Sequence, residues 1–162
     1  MKLRGDAAMM ATIRPVFAGQ VVQPYIAQMG LEFVETVYGP PSRYFYALAG
    51  APYFNLGARQ TVDGLTAADV LAAMGDSVTA LSKVNAFEKN IALARWYNLP
   101  LLAYEGGADT FGPGSLAAKK AASLDPAMLA LCKRYLSTWY AAGGETMMWY
   151  TAGATNWGTQ YG

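Results

Sequence analysis

Short apolar runs alternate along this chain with longer amphipathic stretches, the pattern of repeated βα units. The first run, Arg14 to Val22 (RPVFAGQVV), reads as a strand, and Pro24 to Tyr38 reads as helical. Gly39, Pro40 and Pro41 then break the helix, because proline fixes φ and has no N–H to donate. A second run, Tyr44 to Phe54 (YFYALAGAPYF), is continuously apolar rather than alternating, as expected of a parallel strand buried on both faces. In GLTAADVLAAM, Thr66 can cap a helix, and Asp69 three residues later completes a capping-box signal. Helix then continues, with one break, to Tyr97. In its second part Val84, Phe87, Ile91 and Ala94 recur at spacings of three and four, which makes one apolar stripe.

A third strand follows at Pro100 to Tyr104, and two glycines after Glu105 open a loop. Asp125 and Pro126 stand where an N-cap and a first-turn proline belong. Met128, Leu131, Cys132, Tyr135, Leu136 and Trp139 line one face of the next helix, which Gly143 and Gly144 close. The last strand is Glu145 to Tyr150 (ETMMWY), with Met147 and Met148 as strand core, before a tail rich in Gly, Asn and Trp.

This order predicts an α/β fold of about four parallel strands with intervening helices. A doubly wound nucleotide-binding fold would carry a Gly-rich turn after its first strand, and FAGQVVQP is neither G-x-G-x-x-G nor a P-loop. A (β/α)8 barrel instead places its chemistry at the C-terminal ends of strands. Here those ends carry Gln20, Tyr53, Asn55, Glu105 and Trp149. Eight βα units need about 250 residues, so four units read as a partial TIM barrel. Residues 1–162 form one half-barrel domain on this reading, a fragment of a longer chain.

Composition narrows the chemistry. Apolar residues make up 54% of the 162 and charged residues 14%, a globular composition. Twelve Lys and Arg against eleven Asp and Glu leave a net charge of +1 and no basic stripe for a nucleic acid. One cysteine and no histidine exclude internal disulfides, His general bases and nearly all zinc or haem chemistry, so no metal or cofactor is expected. Cys132 falls on an apolar helix face and reads as a buried thiol. The N-terminus MKLRGDAAMM has no signal-peptide run, and no stretch reaches the roughly 18 apolar residues of a membrane span. An export signal of a secreted parent would lie upstream, so the compartment is not encoded here.

LPLLAYEGGADTF together with DPAMLALCKRYLSTWYAAGGETMMWYTAGATNWGTQYG resembles the C-terminal part of bacterial (β/α)8 proteins related to glycoside hydrolases, some described as cellulose-binding. In that family YEGG ends strand seven, an R/K-Y-L-x-x-W helix follows, and a Gly-Gly turn leads to strand eight with a W-G-x-x-G tail. ALAGAPYF resembles its strand six. The likeness runs from about Arg14 to Gly162 and makes the chain equivalent to strands five to eight.

The resemblance implies a retaining glycosidase in which Glu105 holds the nucleophile position and Tyr53 orients it. Asn55, Trp149, Trp157 and Gln20 become candidate contacts for an oligosaccharide or polysaccharide. Retaining chemistry also needs a second carboxyl about 5 Å away, as general acid and then base. The family carries it at the end of strand four, which has no counterpart here. Glu32, Glu35 and Glu88 fall in helical stretches, Asp69 and Asp125 look like caps, Asp6 lies at the start, and Asp109 is too close in sequence to Glu105 to face it across a cleft. Two readings of different class therefore stand beside a third, an inactive folded fragment. One is the nucleophile half of a hydrolase, weak or inactive alone and completed by a missing N-terminal half or a second copy. The other is a carbohydrate-binding protein that cleaves nothing. Trp139, Trp96 and Tyr97 read as packing.

Overall fold

The computed structural model describes residues 10–83 and 86–150. Its elements follow the order β1 (Val16–Ala18), α1 (Pro24–Tyr38), β2 (Ala47–Gly50), β3 (Tyr53–Asn55), α2 (Ala67–Lys83), α3 (Ala86–Trp96), β4 (Leu101–Ala103), β5 (Gly107–Asp109), α4 (Leu116–Leu124) and α5 (Pro126–Ala142), with short 3-10 turns at Pro41–Arg43 and Gly57–Thr61. The strands are parallel and form two open sheets, β1-β2-β4 and β3-β5. The expected α/β architecture is present.

Local chemistry explains most boundaries. The Thr66 amide donates to the Asp69 carboxylate at 2.8 Å, and the Asp69 amide donates back to the Thr66 hydroxyl at 3.2 Å, a closed capping box. The hydroxyl donates to the same carboxylate, and these bonds hold Asp69 below its ordinary pKa. Asp125 caps α5 by accepting from the Ala127 amide at 2.8 Å, with Pro126 in the first turn and Gly143 in the left-handed conformation at the far end.

Four sequence expectations are revised. The strand expected over Arg14 to Val22 is confined to Val16–Ala18, because the chain turns at Val21 and Val22 before α1. The run Tyr44 to Phe54 is two strands, since buried Pro52 interrupts the ladder; β2 itself is buried on both faces, as expected. The loop after Glu105 contains β5, and α4 lies beyond it. Glu145 to Tyr150 is held beside β4 by a single parallel bridge, Ala103 to Met147, rather than as a regular strand. Its backbone nonetheless follows β4 and β5: the Glu145 amide donates to the Leu101 carbonyl, Ala103 to Thr146, Met148 to Ala103 and Tyr150 to Gly106.

The core lies on one face of the strands. Phe17, Leu48, Leu101, Ala103 and Met147 share a register-matched face and pack into the cluster built by Leu31, Val70, Met74, Phe87, Ile91, Tyr135 and Trp139 of the helices. The opposite face carries Val16, Ala18, Thr146 and Met148, all exposed, on either side of the buried Ala47 and Ala49 of β2. Met148 is thus 59% exposed where strand core was expected, because adjacent strand residues point to opposite faces and Met147 takes the inner position. Trp139 is fully buried, as expected, whereas Cys132 is half-buried rather than fully buried, with its thiol pKa pushed up by burial. Phe87, Ile91 and Ala94 form the predicted stripe; the Val84 side chain lies outside the described residues.

Candidate functional site

The glutamate that ends the third apolar run sits on an irregularity of the strand pairing. Gly50 pairs with Ala103, and Tyr53 pairs with Gly107. From the first pair to the second, one strand advances three residues and its partner four. The extra residue is a bulge over Tyr104 to Gly106, and Glu105 is at its centre. Bulges re-aim side chains and recur beside active sites. Here the bulge is anchored on both flanks, by the Tyr104 amide donating to the Gly50 carbonyl at 3.1 Å and the Tyr150 amide donating to the Gly106 carbonyl at 2.8 Å.

Two glycines make the bulge fit. A side chain at Gly106 would press on the Met147 sulfur and the Tyr135 hydroxyl, both 3.3 Å from where its Cβ would stand. Gly107 has φ +131°, a backbone region that side chains disfavour, and a Cβ there would stand 3.0 Å from the Trp149 indole. Beneath them Tyr135 donates its hydroxyl to the Pro52 carbonyl, and its ring packs between Phe54, Phe87 and Trp149. The floor of the site is therefore a rigid aromatic cluster.

Half-buried Tyr53 faces Glu105. Its pKa is pushed up to about 12, first by burial, then by the Glu105 charge and those of Tyr150 and Asp109. The Tyr150 ring lies edge-on to Tyr53, with centroids 6.5 Å apart. Glu105 is half-buried and Tyr104 beside it is exposed, so the bulge is open to a ligand. Tyr53, Glu105, Asp109 and Tyr150 form one cluster: an ionisable carboxylate, a phenol that stays protonated at neutral pH, and an aromatic wall.

The other candidates divide. Asn55 is in register with Asp109 at the end of β3, but its side-chain oxygen accepts from the Gly57 amide at 2.9 Å and shapes the following turn. Asp109 does the same for the Phe111 amide at 2.8 Å. Trp149 is half-buried over Gly107 and the aromatic floor, so most of its indole supports the bulge. Gln20 is exposed in the turn after β1, outside this cluster. Trp157 and Asp6 lie outside the described residues.

Lys119 is a buried charge that pattern reading misses. It is fully buried, and its Nζ donates to the Gln60 and Gly112 carbonyls, each at 2.7 Å, and to the Phe111 carbonyl at 3.5 Å. Burial lowers its pKa, while Asp109 and Asp63 act in the opposite sense. The ammonium ties the loop after β5 to the 3-10 turn after β3, the loops that follow the two strands of the second sheet. In sequence Lys119 is one of two adjacent lysines on an ordinary helix, and nothing there distinguishes it.

Among the described residues no group of three or more His, Cys, Asp or Glu side chains is placed to hold a metal ion, and no helix is long and apolar enough to cross a membrane. No family model, curated protein or solved structure matches the chain.

Proposed function

We propose that the chain is the C-terminal part of a (β/α)8 barrel of glycoside-hydrolase type, in which Glu105 is the nucleophile of a retaining reaction and Tyr53 orients it. The observation that carries the reading is the bulge that presents Glu105 beside Tyr53, two half-buried groups facing one another at the strand ends. A carboxylate so placed is aimed by the backbone and reachable from solvent, and attack on an anomeric carbon requires both.

The barrel reading has its own support. The strands follow one another in chain order, β1, then β2 and β3, then β4 and β5, then the segment at Met147. Successive right-handed crossovers that all step in one direction keep every helix on one side, whereas a doubly wound sheet reverses direction and covers both. The exposed face with Val16 and Met148 then becomes a barrel interior. On this account the remaining strands and the acid/base carboxyl come from a preceding half or from a second copy, and the substrate is an oligosaccharide or polysaccharide.

The test is hydrolysis of 2,4-dinitrophenyl glycosides, whose activated leaving group departs without a general acid. The expected result is slow release of dinitrophenol that Glu105→Gln abolishes, with no cleavage of unactivated glycosides by the chain alone. A rate unchanged by Glu105→Gln overturns the assignment. A second reading, a sugar-binding cleft without hydrolysis, draws on Asp109: the second carboxylate of the cluster is engaged by the Phe111 amide rather than set across from Glu105.

A further inference from the structure

A second groove lies on the helical side of the molecule, between α1 and α3, away from the bulge. Its volume is about 540 Å³, and its lining includes Tyr25, Gln28, Glu32, Lys89, Trp96 and Tyr97. Two features mark it as more than a gap between helices. The large aromatic side chains at its rim face water: Trp96 is 77% exposed and Tyr25 65%. Trp96 stands in the last turn of α3, where packing was expected, and instead projects from the surface at considerable hydrophobic cost.

The other feature is Tyr97. Only 4% of this residue is exposed, yet among the described residues no group hydrogen-bonds its hydroxyl. No fully buried side-chain polar atom among the described residues lacks a partner, so the hydroxyl is open to solvent, and Tyr97 is among the residues that line the groove. The Glu32 and Glu35 charges act on it there, after burial, to raise its pKa. Beside it Gln28 donates to one oxygen of Glu32 at 2.7 Å, which orients the carboxylate and leaves its other oxygen for a ligand. Lys89 adds a donor on the α3 side.

We infer that this groove binds a neutral oligosaccharide, stacked on Trp96 and Tyr25 and hydrogen-bonded by Tyr97, Glu32 and Gln28. The chemistry selects that class. A pyranose offers an apolar C–H face to an aromatic ring and hydroxyls around its edge to donors and acceptors. A purely apolar ligand would leave the Tyr97 hydroxyl and the Glu32 carboxylate desolvated without partners. The inference does not rest on Glu105, which belongs to another part of the molecule.

The experiment is titration of the intact chain with cellohexaose, followed by calorimetry and by the side-chain NMR signal of Trp96. The expected result is saturable binding that perturbs the Trp96 indole, is lost in Trp96→Ala, and weakens about tenfold or more in Tyr97→Phe. Glu105→Gln should bind as the parent does. Tyr97→Phe removes one unpartnered hydroxyl and should leave the melting temperature unchanged, so lost binding cannot be ascribed to misfolding. Absence of binding at millimolar sugar overturns the inference. Binding that survives Trp96→Ala but is lost in Glu105→Gln also overturns it, since it would place the sugar at the bulge. So does a concentration-dependent increase in mass that Trp96→Ala abolishes without any sugar binding, which would make the groove a protein contact.

Discussion

Tyr53 faces Glu105 across two strands that are one residue out of step, close enough for the Glu105 charge to raise the Tyr53 pKa. The bulge brings the two groups together, and it exists because Gly106 and Gly107 let the backbone pass over Tyr135 and under Trp149. Gly107→Ala is therefore expected to cost about 1–3 kcal/mol, through its positive φ and the contact with the indole. Thermal unfolding followed by tryptophan fluorescence checks this, and Gly106→Ala, with no positive φ, should cost less.

Tyr53 carries a pH signature. Its pKa is about 12 in the folded chain against an ordinary 10.0, so folding holds the phenol proton more tightly than the unfolded chain does. That stabilisation is complete below about pH 10 and is lost as pH rises from about 10 to about 12. Burial raises Tyr135 in the same direction. Urea unfolding across this range should show stability falling with pH, and Tyr53→Phe should make the fall shallower without removing it. An equally steep fall in Tyr53→Phe would separate Tyr53 from the effect.

Lys119 holds the loops after β3 and β5 through backbone carbonyls alone. Lys119→Met keeps most of the volume but leaves the Gln60 and Gly112 carbonyls without their donor. The expected loss is about 3 kcal/mol, read from denaturant midpoints. Faster amide exchange should appear in residues 110–114 before the rest of the chain, because the loop loses its tether.

Helix α1 carries a second apolar stripe on its outer side, where Ile26, Met29, Phe33 and Val37 are exposed in line with Val22 before the helix. On the barrel reading this stripe packs against a neighbouring helix of the missing half. In the isolated chain it should drive self-association. Light scattering behind size exclusion should show mass rising with concentration, and Phe33→Glu should suppress the rise with helical content intact. A parent chain that stays monomeric at all concentrations contradicts this role for the stripe.

Sequence reading reached four of the five helices and missed α4, and physical reasons separate what was legible from what was not. Capping chemistry is local, so Thr66 with Asp69 and Asp125 with Pro126 announced real helix starts. The period-3.6 stripe of α3 survived because its residues face one sheet. The bulge was illegible, since it depends on how many residues the neighbouring strand uses over the same span. The turn role of Asn55 was illegible, because a strand end does not reveal that its carboxamide oxygen accepts from the Gly57 amide. Trp96 looked like core because its place in a helix conveys nothing about which side its neighbours cover. Lys119 was invisible because its acceptors are main-chain carbonyls from distant segments.

The most direct test of the central claim is covalent trapping at Glu105. The chain is incubated with a panel of 2,4-dinitrophenyl 2-deoxy-2-fluoro-β-glycosides, which need a nucleophile but no general acid to react and whose glycosyl-enzyme turns over slowly. Intact and peptide mass spectrometry should then find one fluoroglycosyl group, on the peptide that contains Glu105, and none in Glu105→Gln. Failure of the whole panel to label the chain, or labelling that persists in Glu105→Gln, would contradict the assignment of Glu105 as nucleophile.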